Sequence, residues 1–394
     1  MTSEPKPGGV SLAEGRLPPW LFPSVVAAVL ALHALRLAQS PGLHGGVDLL
    51  AHLRMTELMG EAPGVRNVYP PGYHALGALL SPWVGLASFP KLFAVAAAAL
   101  SIGAFRFFQR TAGLPDQAAV LFALWPYSFT LSWMLPKIEV GGYALIFLGL
   151  GLLWRRRYAA AAVLLTLSFW LHTGTALLFG FCGGTLALAR RDGWALVAMA
   201  LGALGAAPLM AVHLSAGCSL QQALLFGEGD YLHGASRHGT LDRGHLALAL
   251  ASPPILGAAL LGALATWRQH RPIAILCAAL AALYLQELWL APFGIATTFD
   301  LLRGLAMLAL PACVAAGVHL ARHPRLSPWL IAAAALWCIG TTFTIVKQPL
   351  YWRPVALEEI RDLRMARCRF GWTAPHASHR RRTPPELPGT PGPP

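Results

Sequence analysis

A chain of 394 residues that is 56% hydrophobic and only 12% charged has too few charged side chains to cover a water-facing surface of its size. Soluble domains carry about 25% charged residues. The composition therefore excludes an ordinary soluble protein. It indicates an α-helical membrane protein, because the apolar residues fall in blocks close to the roughly 20 residues that a helix needs to cross the hydrocarbon core.

The net charge of +13 does not indicate a nucleic-acid partner. Most arginines stand in short clusters between apolar blocks, as the positive-inside rule expects of a membrane protein. The sequence has no GxxxxGK[ST] loop, no GxGxxG after a strand and no HExxH, which argues against nucleotide binding and against a zincin-type protease. The six Cys residues include no CxxC pair, so we expect neither a disulfide framework nor a zinc site.

The apolar blocks predict an all-α, polytopic bundle of about 11 spans within a transmembrane domain at 20–346. In chain order the predicted spans are 20–39, 92–108, 116–133, 141–154, 158–172, 174–189, 194–213, 246–266, 272–290, 304–321 and 327–346. Residues 1–19 precede the first span, which has no cleavage site after it and is predicted to stay attached. The stretch 347–394 is a C-terminal tail, with a short charged helix predicted at 355–367 and disorder at 373–394.

The short apolar stretch 75–88 contains Pro82 and suits an interfacial or re-entrant segment better than a span. If it does not cross, and the N-terminus is cytoplasmic, every arginine cluster between spans falls on the cytoplasmic side. If it crosses, all of those clusters move outside. We therefore predict that it does not cross, that the loops 40–91 and 214–245 lie outside the cytoplasm, and that the C-terminus does too.

The first long loop carries the residues that are best suited to catalysis. Asp48 lies shortly after the first span, at the membrane surface, where partial desolvation raises the basicity of a carboxylate. That position suits a general base acting on a hydroxyl or amide acceptor. His52 lies four residues on and would share a helical face with Asp48. The alternative is that Asp48 only caps a helix that starts at Leu49.

Three further segments give the sequence its resemblance to a known superfamily. The loop runs through YPPGYH at 69–74 into the short apolar stretch, the third predicted span contains AAVLFALWP at 118–126, and LHTG stands at 171–174. Together with a first span followed by a long loop with an early acid, these segments resemble the GT-C superfamily. Its members are multi-spanning glycosyltransferases that use sugars linked to a lipid phosphate. The resemblance covers roughly residues 20–346.

The resemblance implies a function and a set of roles. It implies transfer of a sugar from a polyprenyl-phosphate donor to a glycan, lipid or protein acceptor at the cell envelope, as in a mannosyltransferase. Asp48 takes the position of the superfamily's first-loop acid, and Glu139, near Lys137, that of an acid in the second outside loop. His52, Tyr69, His74, Lys137 and His172 are expected to line the substrate site.

A late arginine completes the expected site. Arg303 stands at the outer mouth of a span, where a guanidinium can hold a phosphate by two parallel hydrogen bonds. The superfamily places an arginine similarly, although a local pair with Asp300 is an alternative. The first loop has no Asp-x-Asp pair, so we expect no metal or other cofactor. The three His and three acids in the loop 214–245 match no known metal-ligand spacing.

Two alternatives to the enzyme stay open. A transporter or flippase of a lipid-linked substrate would place ionisable residues near the bilayer midplane. Here the charged residues gather at the predicted surfaces instead. A non-catalytic GT-C-like protein that assists envelope assembly is consistent with the missing Asp-x-Asp pair.

Overall fold

The computed structural model describes residues 17–39, 43–44, 47–61, 70–125, 139–209, 211, 251–285, 301–345, 354–355, 366–368 and 371–373. Within that part of the chain the fold is almost entirely helical. The helices are α1 (Leu21–Gln39), α2 (Val47–Glu61), α3 (Gly72–Val84), α4 (Phe89–Thr111), α5 (Asp116–Ala123), α6 (Glu139–Trp154), α7 (Tyr158–Leu171), α8 (Thr173–Arg190), α9 (Gly193–Leu204), α10 (Pro253–Gln269), α11 (Arg271–Tyr284), α12 (Leu301–Arg322) and α13 (Ser327–Ile345).

Short strands accompany the helices. The strand β1 (Leu43–His44) pairs antiparallel with β2 (Pro354–Val355), and β3 (Ala366–Cys368) pairs with β4 (Gly371–Thr373). The predicted tail helix at 355–367 is therefore wrong at both of its ends, which lie in β2 and β3. Its middle, and residues 374–394 of the predicted disordered tail, lie outside the described residues.

Most predicted spans coincide with a described helix, and the differences are at the ends. Within the predicted span 194–213, helix α9 ends at Leu204 and is followed by a turn at 205–206. Within the predicted span 246–266, helix α10 begins at Pro253, since proline is favoured in the first turn of a helix, and residues 246–250 lie outside the described residues. The predicted loop 40–91 contains two helices, α2 and α3.

The core of the bundle is aromatic where α4, α5 and α6 meet. The ring of Phe105 stacks on Phe122 with centroids 4.1 Å apart, and Phe147 meets both rings edge-on at 5.2 Å. All three side chains are buried. Offset and edge-to-face contacts of this kind add to the stabilisation that burial alone provides.

The outer faces of the helices are apolar, as lipid contact requires. Leu79, Leu100 and Leu260 are each mostly exposed, together with Trp83 and Trp329. Among the described helices α4 is long and apolar enough to cross a membrane by itself, and the described residues also include shorter apolar helices of 10–17 residues. This apolar surface agrees with the membrane protein that the composition predicts.

One end of the bundle, called the arginine end, carries the clusters Arg106/Arg110, Arg155–Arg157, Arg190/Arg191, Arg268/Arg271 and Arg322/Arg325. Contacts between helices hold several of these residues. Arg106 donates to Asp116 at 2.6 Å, and Arg190 donates to the carbonyls of Leu153 and Trp154 at 3.2 Å. The Tyr158 hydroxyl donates to Asp192 at 2.9 Å.

Candidate functional site

The opposite end of the bundle, called the histidine end, is where α2, α3, the start of α6 and the junction of α7 with α8 meet. We define it by the side chains of His52, Tyr73, His74 and His172, with Glu139 at the start of α6. Helix α2 packs against α3, with Thr56 close to Gly77, and the two helices run side by side. The packing of α2 on α3 brings His52 to Tyr73 and His74.

A close approach of backbone joins α3 to the end of α7. A Cβ atom at Gly72 would lie 2.7 Å from the carbonyl oxygen of Trp170 and 3.3 Å from the Cα of Leu171. Only glycine allows this approach without displacing the α7 backbone. Gly72 is the first residue of α3 and directly follows Pro71. Gly72, within the segment 70–74, therefore packs against Leu171, the residue that precedes His172.

The ring of His74 is completely buried and contacts His52. His52 Nδ1 lies 3.1 Å from His74 Nε2, with ring centroids 5.3 Å apart. Burial lowers the pKa of His74 well below its usual range, and a positive charge on His52 lowers it further. His74 is therefore neutral at neutral pH.

Tyr73 packs between the histidines and two phenylalanines. Its ring meets Phe93 edge-on at 4.9 Å, lies 5.1 Å from Phe89 and 6.0 Å from the ring of His52. Burial raises the pKa of the Tyr73 phenol, so the hydroxyl stays protonated. No acceptor for this hydroxyl lies among the described residues. Tyr73 is a site residue that the sequence did not single out, because its neighbours come from α2 and α4.

His172 is the single residue between α7 and α8, as the predicted tight turn requires. Its Nδ1 accepts the backbone N–H of Thr175 at 3.1 Å, and its own carbonyl accepts the Thr175 hydroxyl at 2.9 Å. His172 is therefore the N-cap of α8. Because Nδ1 is an acceptor, the ring hydrogen of the neutral form is on Nε2, which faces away from the cap.

Glu139 is the first residue of α6, and it lies at the same end. The next residues dock onto the site: Ser101 donates to the carbonyl of Val140 at 2.9 Å, and Gly141 lies against Phe93 and Leu171. Phe93 also contacts Tyr73, so α4 links Glu139 to the histidines. The structure thus brings four predicted site residues, His52, His74, Glu139 and His172, to one end of the bundle.

The remaining predicted site residues are described in part or not at all. Asp48 lies in the first turn of α2, one turn before His52, and Arg303 lies in the first turn of α12. The side chains of both fall outside the described residues. Since α2 begins at Val47, Asp48 is inside the helix and does not precede a helix starting at Leu49. Tyr69 and Lys137, and the loop 214–245, lie outside the described residues.

Metal ligation is not indicated among the described side chains, since no three His, Cys, Asp or Glu are grouped closely enough to hold an ion. The two acids at the predicted site that could bind a metal are Asp48 and Glu139. Only Glu139 has a described side chain, so the expectation that no metal binds stays a prediction.

Comparisons with known proteins show which solved structure this fold is similar to. No protein-family profile matches the sequence, and no curated protein matches it by sequence. The structure is similar to the crystal structure of ArnT from Cupriavidus metallidurans bound to undecaprenyl phosphate, with a TM-score of 0.53 and 13% sequence identity. The alignment covers 82% of this chain and 75% of that chain. The predominantly helical fold predicted from the sequence is therefore confirmed, and it is similar to the fold of ArnT.

Proposed function

We propose that this chain is an integral membrane glycosyltransferase. It takes a sugar from a polyprenyl-phosphate donor and passes it to a glycan, lipid or protein acceptor outside the cytoplasm. The observation that carries the proposal is the likeness of the fold to ArnT, which was solved with undecaprenyl phosphate bound. The cluster of His52, His74, His172 and Glu139 supports it, because these groups converge at one end of the bundle.

Each site residue has a proposed role in the transfer. Asp48 is the general base that takes the proton of the attacking hydroxyl. Glu139 is an accessory acid beside it. His52, Tyr69, His74, Lys137 and His172 line the substrate site. Arg303 clamps the donor phosphate and stabilises the charge that builds up on it as the bond to the anomeric carbon breaks.

Binding of the donor lipid can be tested without knowing the sugar. We expect undecaprenyl phosphate to raise the Tm of the purified protein in detergent, because a ligand that binds only the folded state stabilises it. Undecaprenol, which lacks the phosphate, should raise the Tm much less. The Arg303→Ala variant should lose most of the phosphate-dependent increase, and Arg325→Ala, at the arginine end, should keep it. Equal effects of undecaprenyl phosphate and undecaprenol would contradict a phosphate clamp.

Transfer itself is tested in membranes that contain the native acceptor. Membranes are prepared from host cells that lack the chromosomal copy and carry the wild type or a variant. They are supplied with undecaprenyl-phosphate-linked mannose, glucose or galactose carrying a radiolabel. We expect Asp48→Asn to reduce incorporation by about 100-fold or more, the contribution typical of acid–base catalysis.

Glu57→Gln is the matched control for Asp48→Asn. Glu57 is on the same helix and pairs with Arg54 at 2.5 Å. Partly exposed pairs of this kind contribute about 0–1 kcal/mol, so incorporation should stay near the wild-type level. Full incorporation by Asp48→Asn would show that the carboxylate is not catalytic and would favour the non-catalytic alternative.

Transfer is proposed to need no divalent metal. The first loop has no Asp-x-Asp pair, and the Arg303 guanidinium supplies positive charge where the leaving phosphate needs it. We therefore expect EDTA in the same membranes to leave incorporation unchanged. A loss that Mg²⁺ or Mn²⁺ restores would show that a metal takes part.

A further inference from the structure

Two turns at the arginine end of the bundle are held against each other. The turn 155–157 joins α6 to α7, and the turn 191–192 joins α8 to α9. The Tyr158 hydroxyl, just after the first turn, lies 3.0 and 2.9 Å from the two carboxylate oxygens of Asp192. The Arg190 guanidinium, just before the second turn, lies 4.6 Å from the centroid of the Trp154 ring. The four arginines of the two turns, called the arginine corner, are Arg155, Arg156, Arg157 and Arg191.

The two turns have the same backbone geometry. Each closes the end of a helix with the pair of backbone hydrogen bonds that defines a Schellman motif. The N–H donors and their carbonyl acceptors are Arg156 to Leu153, Arg157 to Leu152, Arg191 to Leu188 and Asp192 to Ala187. Such a motif places one residue in the left-handed conformation, and here that residue is an arginine in both turns. Arg156 has a φ of 58° and Arg191 a φ of 53°.

Arginine is an unfavourable residue for the backbone at these two positions. A Cβ atom crowds the backbone at positive φ, whereas glycine adopts this conformation freely and is the usual residue there. The described residues other than glycine with positive φ are Arg156, Arg191 and Ser252, so two of the three belong to the arginine corner. The turns alone would favour glycine. What arginine adds at both positions is an exposed guanidinium group.

The charge of the arginine corner is not balanced within the described part of the chain. All four side chains are exposed. The acid in these turns, Asp192, accepts the Tyr158 hydroxyl and the backbone N–H of Ala195. None of the ion pairs between described residues includes an arginine of the corner. The corner therefore presents a positive surface that is suited to binding an anion.

Apolar side chains next to the corner are exposed as well. Leu188 is one turn before Arg191 on α8, Trp194 is three residues after it on α9, and Val163 is on α7 less than two turns after Arg157. Tryptophan is enriched where a membrane meets water, and exposed leucine and valine suit contact with acyl chains. A small anion in water would use the guanidinium groups alone. A phospholipid would use both surfaces, with its headgroup on the arginines and its chains on the apolar residues.

We propose that the arginine corner binds the headgroup of an anionic phospholipid, with the acyl chains lying against Leu188, Trp194 and Val163. A guanidinium group binds a phosphate by two parallel hydrogen bonds, and two adjacent turns offer such groups from two sides. The inference goes beyond the proposed function and does not depend on it. The arginine corner lies at the opposite end of the bundle from the histidine end.

Native mass spectrometry of the purified full chain in detergent measures its affinity for single lipid molecules. We expect the wild type to bind dioleoyl-phosphatidylglycerol more tightly than dioleoyl-phosphatidylcholine, whose headgroup has no net charge. Each basic residue near an anionic lipid surface contributes a factor of about five in affinity. The double variant Arg156→Gly/Arg191→Gly should therefore bind phosphatidylglycerol about 25-fold more weakly. Unchanged affinity in this variant would overturn the proposal.

The glycine pair separates binding from folding. Because glycine adopts positive φ without strain, both turns should form in the variant, and its Tm without added lipid should equal or exceed that of the wild type. The matched control is Arg322→Gln/Arg325→Gln, which removes two exposed charges elsewhere at the arginine end. It should keep the affinity for phosphatidylglycerol within about threefold, less than the factor expected for one arginine of the site. An equal loss in both double variants would show a response to total charge and would overturn a discrete site.

Further measurements distinguish the lipid from other anions and from the proposed donor site. Phosphatidylglycerol should raise the Tm of the wild type and raise that of the glycine pair much less, whereas sodium phosphate and poly-glutamate should raise neither. An increase with sodium phosphate that the glycine pair abolishes would overturn the lipid assignment in favour of a free anion. The same result with poly-glutamate would overturn it in favour of an acidic protein. Arg303→Ala, at the proposed donor site, should keep the affinity of the corner for phosphatidylglycerol.

Discussion

His74 shows how a single buried side chain makes stability depend on pH. Burial, and then a charge on His52, lower the pKa of His74 in the folded protein below the value near 6.5 that an exposed histidine has. Below that pH the unfolded chain binds a proton that folded His74 does not take up. Stability therefore rises with pH through this window, and the contribution of neutral His74 is lost as the pH falls below about 6.5.

We predict that the Tm of the wild type in detergent falls between pH 7.5 and pH 5, and by more than that of His74→Gln. The glutamine side chain does not titrate, so the difference between the two slopes isolates His74 from the other histidines. Thermal unfolding monitored by circular dichroism at half-unit pH steps measures both slopes. Parallel slopes would show that His74 is not neutral and buried in the folded protein.

Gly149 is a point of close packing between α6 and α8. A Cβ atom there would lie 1.9 Å from Cζ of Phe179, whose ring is fully buried. Because the ring has no space to withdraw, we predict that Gly149→Ala destabilises the protein by about 1–3 kcal/mol, as overpacking of a filled core does. The measurement is the free energy or Tm of unfolding in detergent.

The matched control for Gly149→Ala is Gly180→Ala, on the helix that α6 contacts. No atom lies within 4 Å of a Cβ at Gly180. Alanine is favoured over glycine in helices by up to about 1 kcal/mol, so this variant should be neutral or slightly stabilised. Destabilisation of both variants to the same extent would mean that helix flexibility, and not the contact with Phe179, explains the loss.

Individual site residues were predictable from the sequence only where chain position was informative. Asp48 and His52 were expected on one helical face, and both are in α2. His172 was expected in a tight turn, and it is the one residue between α7 and α8. The pairing of His52 with His74 was not predictable, because it depends on how α2 packs against α3 across a separation of 22 residues.

At the scale of the elements, His172 has two separable functions. Its Nδ1 caps α8 by accepting the Thr175 N–H, while the rest of the ring belongs to the proposed substrate site. We predict that His172→Asn, whose side-chain oxygen can still cap, keeps the wild-type Tm, and that His172→Ala loses about 1 kcal/mol of stability. Both variants should show reduced transfer, because neither has the ring.

The control for the two His172 variants is a capping residue at the arginine end. Asp192 caps α9 by accepting the Ala195 N–H at 3.2 Å. Asp192→Asn should keep both stability and transfer, since asparagine caps as well as aspartate. Full transfer by His172→Asn would show that His172 has only a structural role.

The element boundaries illustrate what periodicity and composition predict and what they do not. The predicted span 141–154 differs from α6 only in its first two residues, because Arg155–Arg157 end the apolar block sharply. Helix α2 was expected only locally, around Asp48 and His52, and its extent was not predicted because its residues mix apolar, charged and polar types. Its apolar residues Leu53 and Met55 are buried in the folded protein, which the sequence alone did not indicate.

For the molecule as a whole, the sequence predicted which residues share an end of the bundle. The arginine clusters were expected on one side because the positive-inside rule favours arginine on the cytoplasmic side of a membrane protein. Contacts between the helices agree with a shared end of the bundle. Phe107 near the end of α4 reaches Gly151 of α6, and Ala118 of α5 reaches Gly317 of α12. The helical bundle predicted from the sequence agrees with the fold that this chain shares with ArnT. Which end faces the cytoplasm depends on charge bias, and it stays a prediction.

The last prediction concerns α3, which we expect to return to the same side of the membrane from which it starts. Single cysteines at Gly60 and Ser88, both exposed, stand before and after α3, and Arg157, also exposed, stands at the arginine end. In a chain whose native cysteines are replaced, a membrane-impermeant maleimide should label Gly60→Cys and Ser88→Cys in intact cells. It should label Arg157→Cys only after the cells are made permeable.

This pattern follows from the number of crossings between the labelled positions. If α3 does not cross, Gly60 and Ser88 share a side, and α4 with the chain that follows carries Arg157 to the other side. If α3 does cross, only one of Gly60 and Ser88 is labelled from outside. The arginine clusters would then face outward against the charge bias, and Asp48 and Glu139 would lie on opposite sides of the membrane. No single site could contain both acids, so the labelling of two positions in intact cells decides whether the proposed site exists.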